Sequence, residues 1–356
     1  MFEDRKILVT GAGGFIGGRM VEVFHALGSG SVRATMRRWA TGARVGRLPV
    51  ELVRCDIRDA DQVREALEGV THVVHCAVGE HSSTVDGTRT LLAAAAEAGV
   101  RKVVHLSTVD VYGNVVGEVD ESHPLTTTGK AYGDSKIEAE EVCQGFASSG
   151  LPVTILRPTL VHGPFSGTWT VAYAQRLQKR PWLVAEQDAQ GTCNLVYVDD
   201  LVGAVLAAFD ADTPPGEAFN INGPERPTWH EYFLALNDAM ELPPLVAASP
   251  TGARLKAAAV LPFRKTAKFL VTHFQKQVMG VAQSSQLART LMVQAEGMIR
   301  TTPVPSEFAV YSRKASYSTA KAESMLGYRP CFPIADALPL TAGWLRRHGF
   351  VQNGST

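Results

Sequence analysis

Tyr132 and Lys136 stand four residues apart in a stretch that reads as helix, so both side chains leave one face. A lysine ammonium beside a phenol favours the phenolate and lowers the tyrosine pKa. The phenol can then take a proton from an alcohol or return one to a carbonyl. Upstream lies Ser107-Thr108-Val109-Asp110-Val111-Tyr112-Gly113, which closes a strand-like run and offers hydroxyls able to bond the same substrate oxygen. A second chemistry-bearing segment opens the chain, where Lys6-Ile7-Leu8-Val9-Thr10 runs into Gly11-Ala12-Gly13-Gly14-Phe15-Ile16-Gly17. Glycines at 11, 14 and 17 permit a sharp turn and leave no Cβ against a pyrophosphate, whose charge suits the start of the following helix. The spacing is Gly-x-x-Gly-x-x-Gly; the alternative Gly-x-Gly-x-x-Gly fails because position 16 is Ile.

These groups need a sheet whose carboxyl edge gathers them. Strand-like runs fall at 6–10, 31–36, 51–54, 72–76, 102–107 and 153–157, with a later one near 217–221. Helical patterns lie between them at about 15–27, 60–68, 84–98 and 131–149, the second opening on Asp59-Ala60-Asp61. Such alternation predicts an α/β chain with a parallel sheet and crossover helices, and open sheets of this kind place ligands at the carboxyl edge. After Pro158 the alternation stops. Residues 164–191 and 222–356 read as irregular, richer in Pro and Trp, and form a second lobe. The expected division is 1–163 plus about 192–221 for dinucleotide binding, and 164–191 plus 222–356 for substrate.

At 356 residues the chain can bury a large core. Its 35 basic and 35 acidic side chains balance, which argues against a nucleic-acid partner. Cys55, Cys76, Cys143, Cys193 and Cys331 show neither metal-like nor disulfide-like spacing, so no metal is expected and reduced thiols in a cytoplasmic protein are. The N-terminus runs straight into a strand, leaving no room for a signal peptide, and the apolar run Leu91–Ala96 is cut by Glu97. One segment departs from the charge balance. From Leu242 to Ala295 there is no Asp or Glu, whereas Arg254, Lys256, Arg264, Lys265, Lys268, Lys276 and Arg289 are basic, and Phe263 to Met279 reads as an amphipathic helix. A solvated face is the plain reading; attraction of an anionic substrate, or the less favoured peripheral contact with an anionic membrane, are the functional ones.

Taken in order, the motifs resemble those of extended short-chain dehydrogenases/reductases, the NAD-dependent epimerase/dehydratase family. The likeness covers the glycine loop, Cys55-Asp56-Ile57, Val74-His75-Cys76-Ala77, the Ser-Thr segment, the Tyr/Lys pair, Leu156-Arg157-Pro158 with Val161-His162-Gly163-Pro164, Val196-Tyr197-Val198-Asp199-Asp200, and Leu326-Gly327-Tyr328-Arg329-Pro330. The resemblance implies a Rossmann-type doubly wound parallel sheet with a smaller C-terminal substrate lobe. It makes Thr108 the catalytic hydroxyl, Tyr132 the acid/base, and Lys136 the group that lowers its pKa and holds the nicotinamide ribose. For the cofactor it implies Gly11, Gly14, Phe15, Ile16 and Gly17 at the diphosphate, and Asp56 with Ile57 at the adenine. Ala77 and Pro158 then line the nicotinamide beside Tyr132 and Lys136. Ser107 is expected to satisfy backbone groups and His75 to be a packed core residue. A homodimer through helices 84–98 and 131–149 also follows from the resemblance.

Three departures refine this. The second strand ends Ala34-Thr35-Met36-Arg37-Arg38, with two guanidiniums and no carboxylate, which favours NADP over NAD because Arg37 and Arg38 can pair with a 2′-phosphate. Family dehydratases place Asp-Glu after the catalytic Thr, whereas here Val109-Asp110 supplies only half of that pair. Sugar-nucleotide members carry an Arg where this chain has Cys193. The expected activity is hydride transfer at a secondary hydroxyl or keto carbon of a nucleotide-linked or other anionic sugar. A bulky hydrophobic alcohol or ketone is the alternative substrate. A dinucleotide sensor without turnover is the alternative of another class, opposed by the presence of both Tyr132 and Lys136.

Overall fold

The computed structural model describes residues 4–28, 31–179, 182–246 and 303–351, with isolated positions between 249 and 259. The amphipathic stretch 263–279, and most of the basic segment around it, lie outside the described residues.

The chain divides into two units. The first runs to His162 and adds Asn194–Glu225 and Ala315–Pro333. In chain order it contains β1 (Lys6–Thr10), α1 (Phe15–Ala26), β2 (Ser31–Met36), β3 (Glu51–Arg54), α2 (Ala60–Ala66), β4 (His72–His75), α3 (His81–Thr84), α4 (Asp86–Glu97), β5 (Lys102–Leu106), β6 (Gly117–Val119) and α5 (Ala131–Ser148). It continues with β7 (Val153–Pro158), β8 (Leu160–His162), β9 (Leu195–Tyr197), α6 (Val198–Asp210), β10 (Ala218–Ile221), β11 (Ala315–Tyr317) and α7 (Ala320–Leu326). Seven strands form one parallel sheet in the order β10-β7-β5-β4-β1-β2-β3. This is the Rossmann-type arrangement expected from the alternating runs.

Side chains alternate between the sheet's two faces, and the sequence supplies an apolar residue to both. Val74 and Val104 join Met20, Phe24, Leu201 and Val205 from α1 and α6. Val73 and Val103 join Val63, Leu91, Val142 and Cys143 from α2, α4 and α5. Strands buried on both faces are near-continuous apolar runs, which is why they were legible.

Two expectations are corrected. Residues 315–333, assigned from the sequence to the second lobe, belong to the first unit. β11 pairs in parallel with β6, Ala322 and Leu326 enter the core, and the Tyr328 hydroxyl donates to the Asn222 carbonyl at 2.9 Å. The stretch read as irregular is helical in much of its described length: Trp229–Ala239, Pro305–Tyr311 and Ile334–Arg347 are helices. In the second unit Tyr173, Trp229, Phe233 and Tyr311 pack as an aromatic cluster, with the Trp229 and Tyr311 rings 4.9 Å apart. Among the described residues no helix is long and apolar enough to cross a membrane.

Candidate active site

The glycine loop is built where β1 ends. Gly11 has φ +66°, a left-handed conformation that a side chain disfavours, and a Cβ there would lie 2.9 Å from the Ala77 backbone. A Cβ on Gly17 would stand 2.5 Å from the Gly11 carbonyl oxygen. No side chain caps the N-terminus of α1 and no acidic residue occupies its first turn. Its amide groups are thus available to an anion. The Thr10 hydroxyl accepts from the Ala77 amide at 3.1 Å and bonds His75 Nδ1 at 2.8 Å, while His75 Nε2 meets Thr88 Oγ1 at 2.9 Å. His75 is fully buried, and burial drives its pKa down to about 3, so it is a neutral stitch between β1, β4 and α4.

A pocket of about 450 Å³ opens beside this loop. Gly11, Gly13 and Gly14 line it with Arg37 and Arg38 after β2, Asp56 and Ile57 after β3, and Ala77 after β4. Phe15 and Ile16 do not line it; they pack against the core below. Tyr132, Lys136 and Pro158 are also outside its lining. The sequence reading did not select Thr35, Cys55, Cys76, Val78 and Glu80, which also line it, nor Thr41 from the short turn after β2. All but Thr41 lie at or just after the ends of the same strands, so strand order was the available signal. Arg58 clasps Asp56 through two bonds of 2.9 and 2.7 Å and, with a smaller contribution from Arg37, holds that carboxylate at about 2. Arg37 and Arg38 are exposed and pair with no carboxylate among the described residues. A glycine cradle that a Cβ would fill, an uncapped helix start and flanking charged groups fit a dinucleotide.

Thr108 and Tyr132 meet at the end of β5. Thr108 follows β5 and caps a short helical turn, Val109–Tyr112, its hydroxyl oxygen accepting from the Asp110 amide at 3.2 Å. Its hydroxyl proton therefore remains to be donated. Tyr132 lies in the first turn of α5, and a Cβ on Gly133 would be 3.3 Å from the Asp110 carbonyl oxygen, so helix and turn approach closely. Tyr132 keeps 48% of its surface exposed. Desolvation around the hydroxyl raises its pKa, Asp110 adds to this, and Thr108 opposes it.

Here the structure differs from the expectation that Lys136 lowers the Tyr132 pKa. Lys136 is buried, its Nζ donates to the Leu106 carbonyl at 2.6 Å, and it is not among the groups that shift the phenol. Burial pushes the lysine itself down to about 8, against the opposing influence of Cys143, Cys76 and Glu140. Ser107 differs as well. Its hydroxyl goes to the Glu140 carboxylate rather than to backbone. Cys193, in the second unit, is fully buried and its thiol is pushed well up by desolvation.

A family model, Epimerase (NAD dependent epimerase/dehydratase family), matches residues 7–222, more than half of the chain. Sterol demethylase protein B of Methylococcus capsulatus is 36% identical over 171 residues, which are 44% of this chain and 52% of that protein. The chain thus aligns with about half the length of that relative. An uncharacterized UDP-glucose epimerase of Bacillus subtilis is 28% identical over 248 residues, covering 62% of this chain and 78% of that one. The crystal structure of UDP-glucuronic acid 4-epimerase from Bacillus cereus in complex with NAD superposes with a TM-score of 0.71 at 18% identity, covering 98% and 99% of the two chains. That is a likeness of fold.

Proposed function

The chain belongs to the NAD dependent epimerase/dehydratase family, and on that premise we propose that it is an NAD(P)-dependent oxidoreductase or epimerase acting at a secondary hydroxyl or keto carbon. The observation that carries this reading is the meeting of Thr108 and Tyr132, above a buried Lys136, on the sheet whose neighbouring strand ends line the glycine pocket.

Gly11, Gly14 and the start of α1 would hold the diphosphate, Asp56 and Ile57 the adenine, Lys136 the ribose, and Ala77 and Pro158 the nicotinamide face. Arg37 and Arg38 support a preference for NADP. A bound nicotinamide dinucleotide supplies the hydride. Tyr132, its pKa raised, keeps its proton at neutral pH and gives it to a substrate oxygen. Thr108 donates a second hydrogen bond to that oxygen. Lys136, poised at about 8, holds its proton against the Leu106 carbonyl beneath them.

For the substrate, a nucleotide-linked or other anionic sugar is supported by what the Bacillus subtilis relative and the Bacillus cereus enzyme are named for. A bulky hydrophobic alcohol or ketone is the second reading. Cys193 favours it, standing buried where sugar-nucleotide members carry an Arg, together with exposed Val78 after β4 and Val116 after β5. The sterol protein of Methylococcus capsulatus agrees with it in name. A homodimer through α4 and α5 is proposed from the family resemblance.

The test is to incubate purified protein with UDP-glucose or UDP-glucuronic acid plus NAD+ or NADP+, following the C4 epimer and reduced cofactor, and with a 3-ketosteroid plus NADPH or NADH carrying deuterium at C4, following label in the alcohol. One of the three should be turned over, and Tyr132→Phe should stop the turnover. Nicotinamide retained through purification would mark an epimerase, and free exchange a reductase. Tight dinucleotide binding without turnover of any of the three would favour a sensor.

A further inference from the structure

Glu140 lies four residues after Lys136 and eight after Tyr132, on the same face of α5. Its carboxylate is 2% exposed. Arg157 Nε donates to Oε1 at 3.0 Å and Nη2 to Oε2 at 2.6 Å, a bidentate clasp, and the Ser107 hydroxyl donates to Oε1. Arg157 Nη1 continues to the Tyr112 hydroxyl at 2.8 Å, which donates to Asn220 Oδ1 at 2.8 Å. The guanidinium also sits over the Tyr112 ring, 5.1 Å from its centroid. Each member is buried.

The addresses of these residues matter. Ser107 directly precedes Thr108, Tyr112 closes the turn that Thr108 caps, and Arg157 directly precedes Pro158. Two chain segments that carry the site residues, 107–112 and 157–158, are therefore tied to one carboxylate on the Tyr132 helix, directly through Ser107 and Arg157 and through Arg157 to Tyr112. We propose that Glu140, clamped by Arg157 and Ser107, is a positioning residue that sets Lys136 and Tyr132 against Thr108; this rests on the function proposed above.

A buried ion pair is a poor source of stability, because desolvation offsets attraction and apolar residues of similar size often serve as well. What apolar residues lack is direction. A helix resting on leucines can slide by fractions of an ångström, whereas a bidentate clasp with a third hydrogen bond defines one position. Glu140 fixes the helix that carries Lys136 and, after Cys143 and Cys76, also favours the lysine's charged form against the burial that opposes it.

The experiment is a carbon-13 NMR titration of lysine Cε in wild type, Glu140→Gln and Ser107→Ala, with and without NADPH. It is accompanied by kcat and KM on whichever of the three substrates above is turned over. In Glu140→Gln, Lys136 should titrate at lower pH, because the anion that favoured its proton is gone. Dinucleotide affinity should hold while kcat falls by about 10²-fold with little change in KM, the scale expected of ångström-sized misplacement. The alkaline limb of the kcat profile should move to lower pH. Ser107→Ala should lower kcat less and leave the lysine titration in place. A folded Glu140→Gln with wild-type Lys136 titration and wild-type kcat overturns the proposal. So does a loss shared equally by kcat, affinity and thermal stability with an unmoved pH profile. Should Glu140→Gln not fold, Ser107→Ala and Tyr112→Phe decide, since both keep the ion pair, and wild-type kcat in both overturns it. Absence of wild-type turnover, or turnover that survives Tyr132→Phe, counts against the proposed function alone. The lysine titration then decides the positioning role by itself.

Discussion

Glu22 and Glu140 each gather arginine around one carboxylate, the first on α1 after the glycine loop and the second on α5, two turns after Tyr132. Glu22, on α1, receives Arg44 through bonds of 2.9 and 2.7 Å, Arg47 at 3.0 Å and Arg19 at 3.2 Å. Arg44 also donates to the Phe15 carbonyl at 3.1 Å, so the cluster fastens the segment after Arg37 and Arg38 to the first turn of α1. Arg47 is 64% exposed and Arg19 34%, whereas Arg157 is 7% exposed. Arg44 is 11% exposed, but its two neighbours on Glu22 reach water and can rearrange when one is lost. One cation enclosed with its carboxylate cannot. The contrast suits the two tasks proposed for these regions, since a nucleotide tail tolerates adjustment and proton transfer over a fixed distance does not.

Tyr132→Phe is the largest expected effect and sharpens the contrast. It should reduce turnover by about 10³-fold or more, within the span general acid–base groups supply. Dinucleotide binding and the Glu140 network should remain, as judged by fluorescence titration and by the Lys136 NMR signal. Activity above a few per cent of wild type would transfer the role elsewhere, with Asp110 the first candidate, since it acts directly on the phenol.

Truncating the two carboxylates tests the comparison itself. Glu140→Ala leaves Arg157 buried without its anion and should cost about 3–5 kcal/mol in urea unfolding. Glu22→Ala leaves Arg47 and Arg19 within reach of water and Arg44 still bonded to the Phe15 carbonyl, and should cost less, about 1–2 kcal/mol. Equal losses would break the distinction. Thr108→Val comes next, with an expected loss of about 10²-fold in kcat and little change in stability.

The first unit was legible because its strands are continuous apolar runs, and because Tyr132 and Lys136 show their relation by spacing alone. Glu140 was not legible in that way. Its partner Arg157 sits on β7, and only the pairing of β7 with β5 brings it under α5 beside Ser107. The helices of the second unit were hidden by their composition. Trp229–Ala239 is rich in aromatics, and Ile334–Arg347 contains Pro339. One signal was there to be used: Thr228 and Glu231 form a capping box, a pattern readable as Thr-x-x-Glu. In α6 a near-continuous apolar run concealed the helical period.

Acid unfolding separates the Glu22 cluster from the buried histidines by pH. The folded Glu22 pKa of about 2 lies below its ordinary 4.5, so the stability it lends is complete above about 4.5 and is lost as pH falls toward 2. Burial depresses His72 to about 4 and His75 to about 3 from an ordinary 6.5, so their contribution begins to fall at about 6.5. Glu22→Gln should therefore flatten the decline in melting temperature below pH 4.5 and leave the decline between 6.5 and 4.5 intact. An unchanged slope below 4.5 would detach Glu22 from the acid limb.

Arg37→Ala should give the smallest effect, and it tests the adjustable half directly. Arg37 lines the pocket after β2, the segment from Ala34 to Arg38 offers no carboxylate to a ribose, and Asp56 is already committed to Arg58. A phosphate at the adenosine 2′ position would thus meet a guanidinium with no carboxylate of its own, able to bind it through two hydrogen bonds. Exposure limits the gain, because charges at the surface are screened over roughly 8 Å at physiological ionic strength. The expected result is a preference for NADPH over NADH in wild type, narrowed about tenfold by Arg37→Ala, which corresponds to about 1.4 kcal/mol. Arg38→Ala should narrow it less, and both effects should shrink at high salt. Titration by quenching of intrinsic fluorescence at two salt concentrations measures this. Equal wild-type binding of the two dinucleotides, or a ratio indifferent to Arg37, would remove the NADP reading and leave the pocket to NAD. Neither substitution should move the Lys136 titration, since the arginines at the rim share no hydrogen bond with the carboxylate beneath Tyr132.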